Sequence, residues 1–560
     1  MLTMQTAFYN ISQNVEAVEA STPVWTLMSS IPEIAVSGSN VYLAWRQDLA
    51  ASDYMCCKND LFFRASNDNG STFSDAIDLG TSLNSPRIAT LGNNVYVVSV
   101  GHGPESRDIF FRSSHDNGST FSDTVNLSDT PKWSSEPEIA VVDNNVYVVW
   151  YDGSSDEGTI FFRRSTDGGT TFEPIANLSE IPGEASFPKI AASGNNVYVV
   201  WAEWTAPYGT EPRSLEVFFR TSNDNGNTFG PLINLSTNDG KSAGQEIAVS
   251  GSNVYVVWKD TNSNVFFRAS NDNGNTFENT VNLSNNQVRM IDVHMAASES
   301  NVYVMWDSEI TDEILNPDGW HNIFFKASHD NGKTFGDTVN LSKNKGWSGW
   351  SKIAVSGSDV YAMWGGGGDP DIYPPGIYLR VSNDNGNTFV GAINLSLFDT
   401  EGSYSVLQIA PTEDIAYLVQ SVYYCTYWGQ CINTVPSEFY TEPLSLTVID
   451  VNVDIKPGSS SNTVNCDNLK GKIAVGIYTD DEFDAQTIDL SATDLEGITA
   501  SKIILKDLDG DGDLDAILKF KKAYLCEFTE SLSVQSISLQ LHGATTNGLQ
   551  FEGTDSINLK

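Results

Sequence analysis

The string S-x-D-x-G-x-T-F begins at Ser66, Ser114, Ser165, Ser222, Ser270, Ser328 and Ser382, at spacings of 48 to 58 residues. Seven in-phase copies restrict the chain to a row or ring of like units, because one such unit cannot bury its apolar face alone. Residues 245–284 show the setting of each copy: QEIAVSG, NVYVVW, NVFFRAS, the repeated string, then ENTVNLS. These segments are rich in Val, Ile, Tyr and Phe and are closed by Gly, Asn, Asp or Ser. They predict four short antiparallel strands, A to D, joined by tight turns.

Four strands per unit of this length is the spacing of a β-propeller blade. The repeated string falls between strands C and D, where Asn-Gly and Gly-Gly supply the positive φ of a hairpin. Its Asp is expected to accept backbone N–H bonds in the turn, and its aromatic to fold back onto the blade. Over residues 31–396 the strings resemble the Asp-boxes of sialidases and related secreted propellers. In that family the boxes lie away from the active site, so the resemblance implies a scaffold role for Asp68, Asp116 and their counterparts. Beyond the seventh copy, residues 404–448 offer a further A (VLQIAPTE), B (DIAYLVQSV) and C (SEFYTEPLSLTV) without a box. Phe8-Tyr9-Asn10-Ile11-Ser12 imitates a D strand. We therefore expect an all-β chain: residues 1–448 form a propeller of eight blades, its N-terminal strand closing the last, with seven blades as the fallback. Closure would remove exposed sheet edges.

Charge narrows the partners. With 71 acidic against 31 basic residues and a net charge of −40, the chain repels phosphate backbones, so no nucleic-acid partner is expected. No run approaches the roughly 20 apolar residues of a membrane span. The opening residues MLTMQTAFYN lack the regions of a signal peptide. An extracellular or cell-surface location, with the signal already removed, is the expectation.

The A–B turns and boxes share one face and are uniform; the D–A and B–C loops share the other and vary. Insertions confined to one face mark a binding face. Trp45, Trp150, Trp201, Trp258, Trp306 and Trp364 all end strand B and read as inter-blade packing. Trp133, Trp347 and Trp350 in D–A loops, and Trp204, Trp320 and Trp428 in B–C loops, fall outside the repeat phase, joined by Tyr54, Tyr208 and Tyr373. Such aromatics suit sugar rings or a surface-protein partner, or cap the loops themselves. At the start of strand A, nearest the axis, stand Glu33, Arg87, Glu138, Lys189, Glu246, His294, Lys352 and Gln408. They would form either a polar pocket or a ring of salt bridges between blades.

Resemblance to sialidases raises catalysis, and the residues argue against it. The family's F-R-I-P reads Ser29-Ser30-Ile31-Pro32 here, so an arginine of the carboxylate clamp is replaced by Ser30. Arg46 with Asp48 or Asp53 lie where a first blade places an Arg and its Asp. Arg87, Arg107, Arg213 and Arg289 match no motif, and no Tyr-Glu nucleophile pair stands out. Glu33, Glu138, Glu246, Asp48 and Asp53 are the catalytic candidates if a glycosidase is built from two carboxylates. The expectation is a glycan- or protein-binding propeller without catalysis; the alternative is a sialidase-like glycoside hydrolase.

Residues 449–560 read as a second, small β-sandwich-like domain, with strands near 450–455, 472–478, 502–506, 515–520, 534–541 and 556–559. It carries Asp507, Asp509, Asp511, Asp513 and Asp515 at alternate positions with Gly510 and Gly512, the recipe for a Ca²⁺ loop. The loop resembles the first part of an EF-hand or dockerin loop, but Leu518 replaces the bidentate Glu. Flanked by Asp454-Ile455-Lys456-Pro457-Gly458 and Phe551–Ser556, the module resembles an accessory domain of secreted microbial proteins. Six cysteines sort as Cys425 with Cys431, Cys466 with Cys526, and adjacent Cys56 and Cys57, which suit a vicinal disulfide, free thiols or a soft metal. The even count and Asn-Leu-Ser sequons at Asn126, Asn177, Asn234, Asn282, Asn340 and Asn394 suggest an oxidising compartment.

Overall fold

The computed structural model describes residues 32–560 except 50–57, 82, 104–105, 155–156, 182, 208, 211, 238–240, 285–287, 310–320, 343–345, 369–375, 390, 395–402, 412–415, 426–430, 433–438, 441–447, 460, 481–482, 497, 531–535 and 546–549. Residues 33–394 fold into seven four-stranded antiparallel sheets, each in the order A-B-C-D. An eighth sheet holds Ser403–Pro411 and Ala416–Cys425, with Cys431–Ile432 and Phe439–Tyr440 both paired to the latter. Each A strand packs beside the A strand of the next sheet, and Glu33–Ser37 packs beside Ser403–Pro411. The ring is therefore an eight-bladed propeller. Residues 5–13, expected to complete the last blade, lie outside the described residues.

The second strands explain their sequence. After its Asn, NVYVVW has large apolar or aromatic side chains at consecutive positions, not at alternate ones, because both faces of each blade are covered by neighbours. In Asn196–Trp204 seven consecutive residues are buried. All six strand-B tryptophans are completely buried, as their repeat phase implied.

The repeated turn is a clamp between blades. In its third copy the Ser165 hydroxyl donates to Asp167 Oδ1 at 2.7 Å, and Thr171 donates its N–H to Oδ1 at 2.9 Å and its hydroxyl to Oδ2 at 2.6 Å. The Thr171 hydroxyl and N–H, with the Ser165 hydroxyl, hold the Asp167 carboxyl down to about 2. The aromatic of the first copy, Phe73, packs against Leu43 and Trp45 of its own blade as expected, and later copies also bridge to the neighbour. Phe121 meets Phe63 of the preceding blade edge-on, with ring centroids 4.8 Å apart, and the same contact recurs as Phe172 on Phe111. Gly118 makes this approach possible. Its φ is +75°, and a Cβ there would stand 2.6 Å from Phe63 Cε1. Across the same seam Asn40 donates to Asn117 Oδ1 at 3.3 Å, and Asn253 to Asn331 Oδ1 at 3.1 Å.

The Asn-Leu-Ser segments have a structural job too. Their serine hydroxyls accept the N–H of strand C, from Ile109 to Ser128 at 3.0 Å and from Val217 to Ser236 at 2.7 Å. Asn126 Nδ2, the atom a glycan would occupy, donates to buried Asp108 at 2.9 Å.

After Val448 two sheets share one separate core. One runs Val448–Asp450, Gln550–Leu559, Ser536–Thr545, Ile488–Leu495, Ile498–Thr499; the other runs Val453–Ile455, Lys472–Ile477, Asp515–Lys521, Ile503–Lys506. Val475, Leu518, Leu539 and Ile557 are among the side chains that fill it. The expected strands are present, but the segment is not wholly β: Lys522–Glu530 is an α-helix, and Ile488–Leu495 is a strand that was not anticipated. Cys526 on that helix is bonded to Cys466. Cys425 and Cys431 stand opposite each other in register, their side chains outside the description. Cys56 and Cys57 lie outside the described residues.

Candidate ligand-binding face

The expected axial residues assemble into one chain of ion pairs. Arg87 Nη1 lies 2.7 Å from Glu33 Oε1, and Arg87 Nε lies 3.4 Å from Glu138 Oε1. Lys189 Nζ is 3.0 Å from Glu138 and 3.7 Å from Glu246; His294 Nδ1 is 3.9 Å from Glu246. His294 Nε2 then reaches Asp292 at 3.3 Å. The links from Glu33 to His294 each join neighbouring blades, while His294 and Asp292 share one strand, so the ring is an inter-blade brace as well as a polar surface. Burial works against the Lys189 charge, but Glu246 and Glu138 outweigh it and hold the ammonium above its ordinary value. Burial pushes the Glu33 carboxyl up, against Arg87. Burial also opposes ionisation of Asp292, yet the His294 hydrogen bond and the His294, Lys259 and Lys352 charges hold it below the usual carboxylate range. The Gln408 side chain lies outside the description.

What aims these side chains is a repeated β-bulge. In five blades the A strand carries one extra residue between Asn84 and Arg87, and at the equivalent places before Glu138, Lys189, Glu246 and Lys352. The residue two positions before the ring takes a left-handed φ each time: Ser85 +48°, Glu136 +55°, Phe187 +54°, Gly244 +63°, Trp350 +53°. Bulges redirect side chains at the rims of sheets. For a bulky residue such a φ is an outlier costing about 1–3 kcal/mol. Phe187, which sequence reasoning missed, is 55% exposed.

The aromatic candidates separate. Trp133 is 48% exposed, with the Arg107 guanidinium 4.9 Å from its ring centroid. Trp350 is 42% exposed and meets Trp347 edge-on at 4.4 Å. Trp204 is different: Arg213 lies 3.8 Å and Lys241 4.7 Å from its ring centroid, so cations already cover it. Trp133, Trp347, Trp350 and Trp204 belong to strands, not to loops as expected, because the bulged A strands and long B strands run on to this face. Asp53, Trp320, Trp428, Tyr54, Tyr208, Tyr373 and Ser30 lie outside the described residues. Asp48 is placed only by its backbone, opposite Asn59, and Arg289 lies in the strand Val288–Ser298.

Beneath the face lies one unexpected acid. Glu203 is fully buried; its Oε2 accepts the Trp201 indole N–H at 2.6 Å, while its Oε1 has no hydrogen-bond partner. Burial, only partly offset by Trp201, pushes its carboxyl up to about 7. Asp152, at the equivalent position of the preceding blade, instead accepts hydroxyls from Thr130 at 2.5 Å and Ser134 at 2.8 Å.

In the C-terminal sheets the Asp-rich segment is the hairpin loop between Ile503–Lys506 and Asp515–Lys521. Carboxylate oxygens of Asp507, Asp509 and Asp511 lie within 4.8 Å of one another. Asp513 Oδ1 is buried without a hydrogen-bond partner. Asp515 is engaged otherwise: its oxygens accept the N–H of Thr479 at 2.9 Å and of Leu508 at 2.6 Å, closing the loop.

No protein-family model and no curated protein matches this chain. Solved structures to which it is similar include an α-L-arabinanase of Penicillium chrysogenum, at 13% identity over 50% of this chain and 88% of that one, with a TM-score of 0.33. A polysaccharide lyase acting as an ulvan lyase is 13% identical over 68% of this chain and 97% of that one, TM-score 0.42. A Hadza microbial sialidase is 14% identical over 66% and 82%, TM-score 0.30. The propeller itself rests on the sheets and their closure. Among the described residues, no helix is long and apolar enough to cross a membrane.

Proposed function

We propose that this chain is an exported or cell-surface propeller of the Asp-box, sialidase-like kind. It holds a glycan or protein partner on the face that carries the D–A and B–C loops, without turning it over. The observation that carries this reading is the axial ring. Glu33, Glu138 and Glu246, three of the carboxylates a glycosidase would need, are each locked to a cation on a neighbouring blade. A glycosidase instead needs one carboxyl free to protonate the leaving group and another free to attack or to activate water. Exposed Trp133 and Trp350 beside the ring, with Arg87, Lys189, His294 and Lys352 in it, supply stacking and hydrogen bonding. The Cys466–Cys526 bond supports an oxidising compartment. A glycan array run beside a panel of fluorogenic glycosides tests the reading: binding without turnover is expected.

The second reading, a glycoside hydrolase, is favoured by one observation, the raised carboxyl of Glu33. Turnover of any glycoside that is abolished by Glu33→Gln, Glu138→Gln or Asp48→Asn would establish it and overturn the first.

Residues 449–560 are, in this account, a separate accessory domain with a structural Ca²⁺. The close carboxylates of Asp507, Asp509 and Asp511 and the unpartnered oxygen of Asp513 fit a hard, oxygen-ligated cation, which would neutralise their mutual repulsion. Asp515 shapes the loop. Chelation should speed hydrogen exchange around residues 507–515 and leave the blades protected; unchanged protection there would remove the metal from the account.

A further inference from the structure

We infer that Phe187 and Trp350 are the two stacking walls of a site for a neutral, pyranose-type glycan at the axial mouth. This rests on the glycan-binding reading above and names its sugar class.

The two residues occupy the same register, two positions before Lys189 and Lys352, on the fourth and seventh blades. Three steps apart in an eight-membered ring, they approach the axis from different sides. Both carry a left-handed φ that a large side chain rarely adopts, +54° and +53°. All five bulges take this φ, and Gly244 does so at +63° without strain, so the bulge requires the φ but no large side chain on it. Nor does packing require one: the rings are 55% and 42% exposed.

The surroundings hold the strain in place. Glu136 of the preceding blade accepts the Phe187 N–H at 2.7 Å, and buried Gln245 of the following blade donates to the Phe187 carbonyl. Both backbone groups of an exposed aromatic are thus fixed from opposite sides. Trp350 is backed by Trp347 and by Gly365, where a Cβ would stand 3.2 Å from its ring. A strained, braced aromatic with an open ring is preorganised for a partner that stacks on it.

The ring next to it decides which partner. Around the axis, acceptors (Glu33, Glu138, Glu246) alternate with donors (Arg87, Lys189). A hydroxyl both donates and accepts, so adjacent sugar hydroxyls match alternating groups. The ring offers an anionic sugar no surplus of fixed positive charge, since Arg87, Lys189 and Lys352 stand among Glu33, Glu138, Glu246 and Asp292, and the chain as a whole carries −40. The C–H face of a neutral pyranose suits the aromatic walls.

The test titrates the full chain with neutral gluco-, galacto-, manno- and xylo-oligosaccharides and with uronate and sialoside counterparts. At least one neutral series should bind, the acidic ones more weakly. Phe187→Gly and Trp350→Gly should each weaken binding about tenfold or more, with a melting temperature equal to or above that of the parent, because Gly relieves the left-handed φ. Phe187→Tyr should restore affinity. Neutral binding untouched by either Gly variant, a preference for acidic sugars, or a Gly variant that melts several degrees lower would overturn the inference and leave the glycan-binding reading standing. Binding of no glycan in either set would overturn both.

Discussion

The two faces of this propeller are built from the same strands and put different residues at their left-handed positions. On the turn face, Ser, Asp and Thr of each repeated turn satisfy one another, and the Phe and Asn side chains are used on the neighbouring blade. The left-handed φ of the repeated turns falls on Asn and Gly, which tolerate it, whereas on the loop face it falls on Phe187 and Trp350, whose rings stay partly exposed. A face whose chemistry closes on itself serves the scaffold. Large aromatics at left-handed positions on the other face need a different explanation, and a ligand supplies it.

Substitutions should separate the faces by effect size. The largest is expected from Gly118→Val, which adds overpacking against Phe63 to a left-handed β-branched residue. It should cost about 3 kcal/mol in denaturant titration without changing glycan affinity. A change in affinity at unchanged stability would blur the division.

Next is Glu203→Gln. Its carboxyl has an ordinary value of 4.5 and is raised to about 7 in the fold. The native state therefore favours the protonated form, and that contribution is complete below about 4.5 and lost as pH rises through about 7. The parent should lose stability over that window, by at most about 3 kcal/mol. The variant should lose correspondingly less across it. Parallel pH profiles would show that the loop face stores no such cost at Glu203.

The smallest stability effect is expected from Trp133→Ala. Because Trp133 is half exposed, thermal unfolding should shift by well under 1 kcal/mol, while glycan affinity falls. A large loss of stability would assign Trp133 to packing of its own strand.

Much of this was legible because repetition exposes scaffold. Seven copies of one turn and the unbroken NVYVVW runs specified the blades, and the residue preceding each repeated Ile or Met located the ring. The bulges were not legible. Ser85, Glu136, Phe187, Gly244 and Trp350 share a backbone conformation and no side-chain chemistry, so no pattern marks them. The capture of Trp204 by Arg213 and Lys241 was hidden for a related reason: Arg213 lies across the B–C loop and Lys241 just before the next blade's first strand, and no repeat pattern brings them together. Glu203 was invisible because Asp152, one blade earlier, occupies the same strand position and accepts two hydroxyls there.

The most direct test of the two-face account is hydrogen exchange of the full chain with and without a saturating bound glycan taken from the array. Slowed exchange should cluster at residues 133–138, 185–189 and 346–352, with the turns at 66–73, 114–121 and 165–172 unchanged. Protection centred on those turns, or protection confined to residues 449–560, would contradict it.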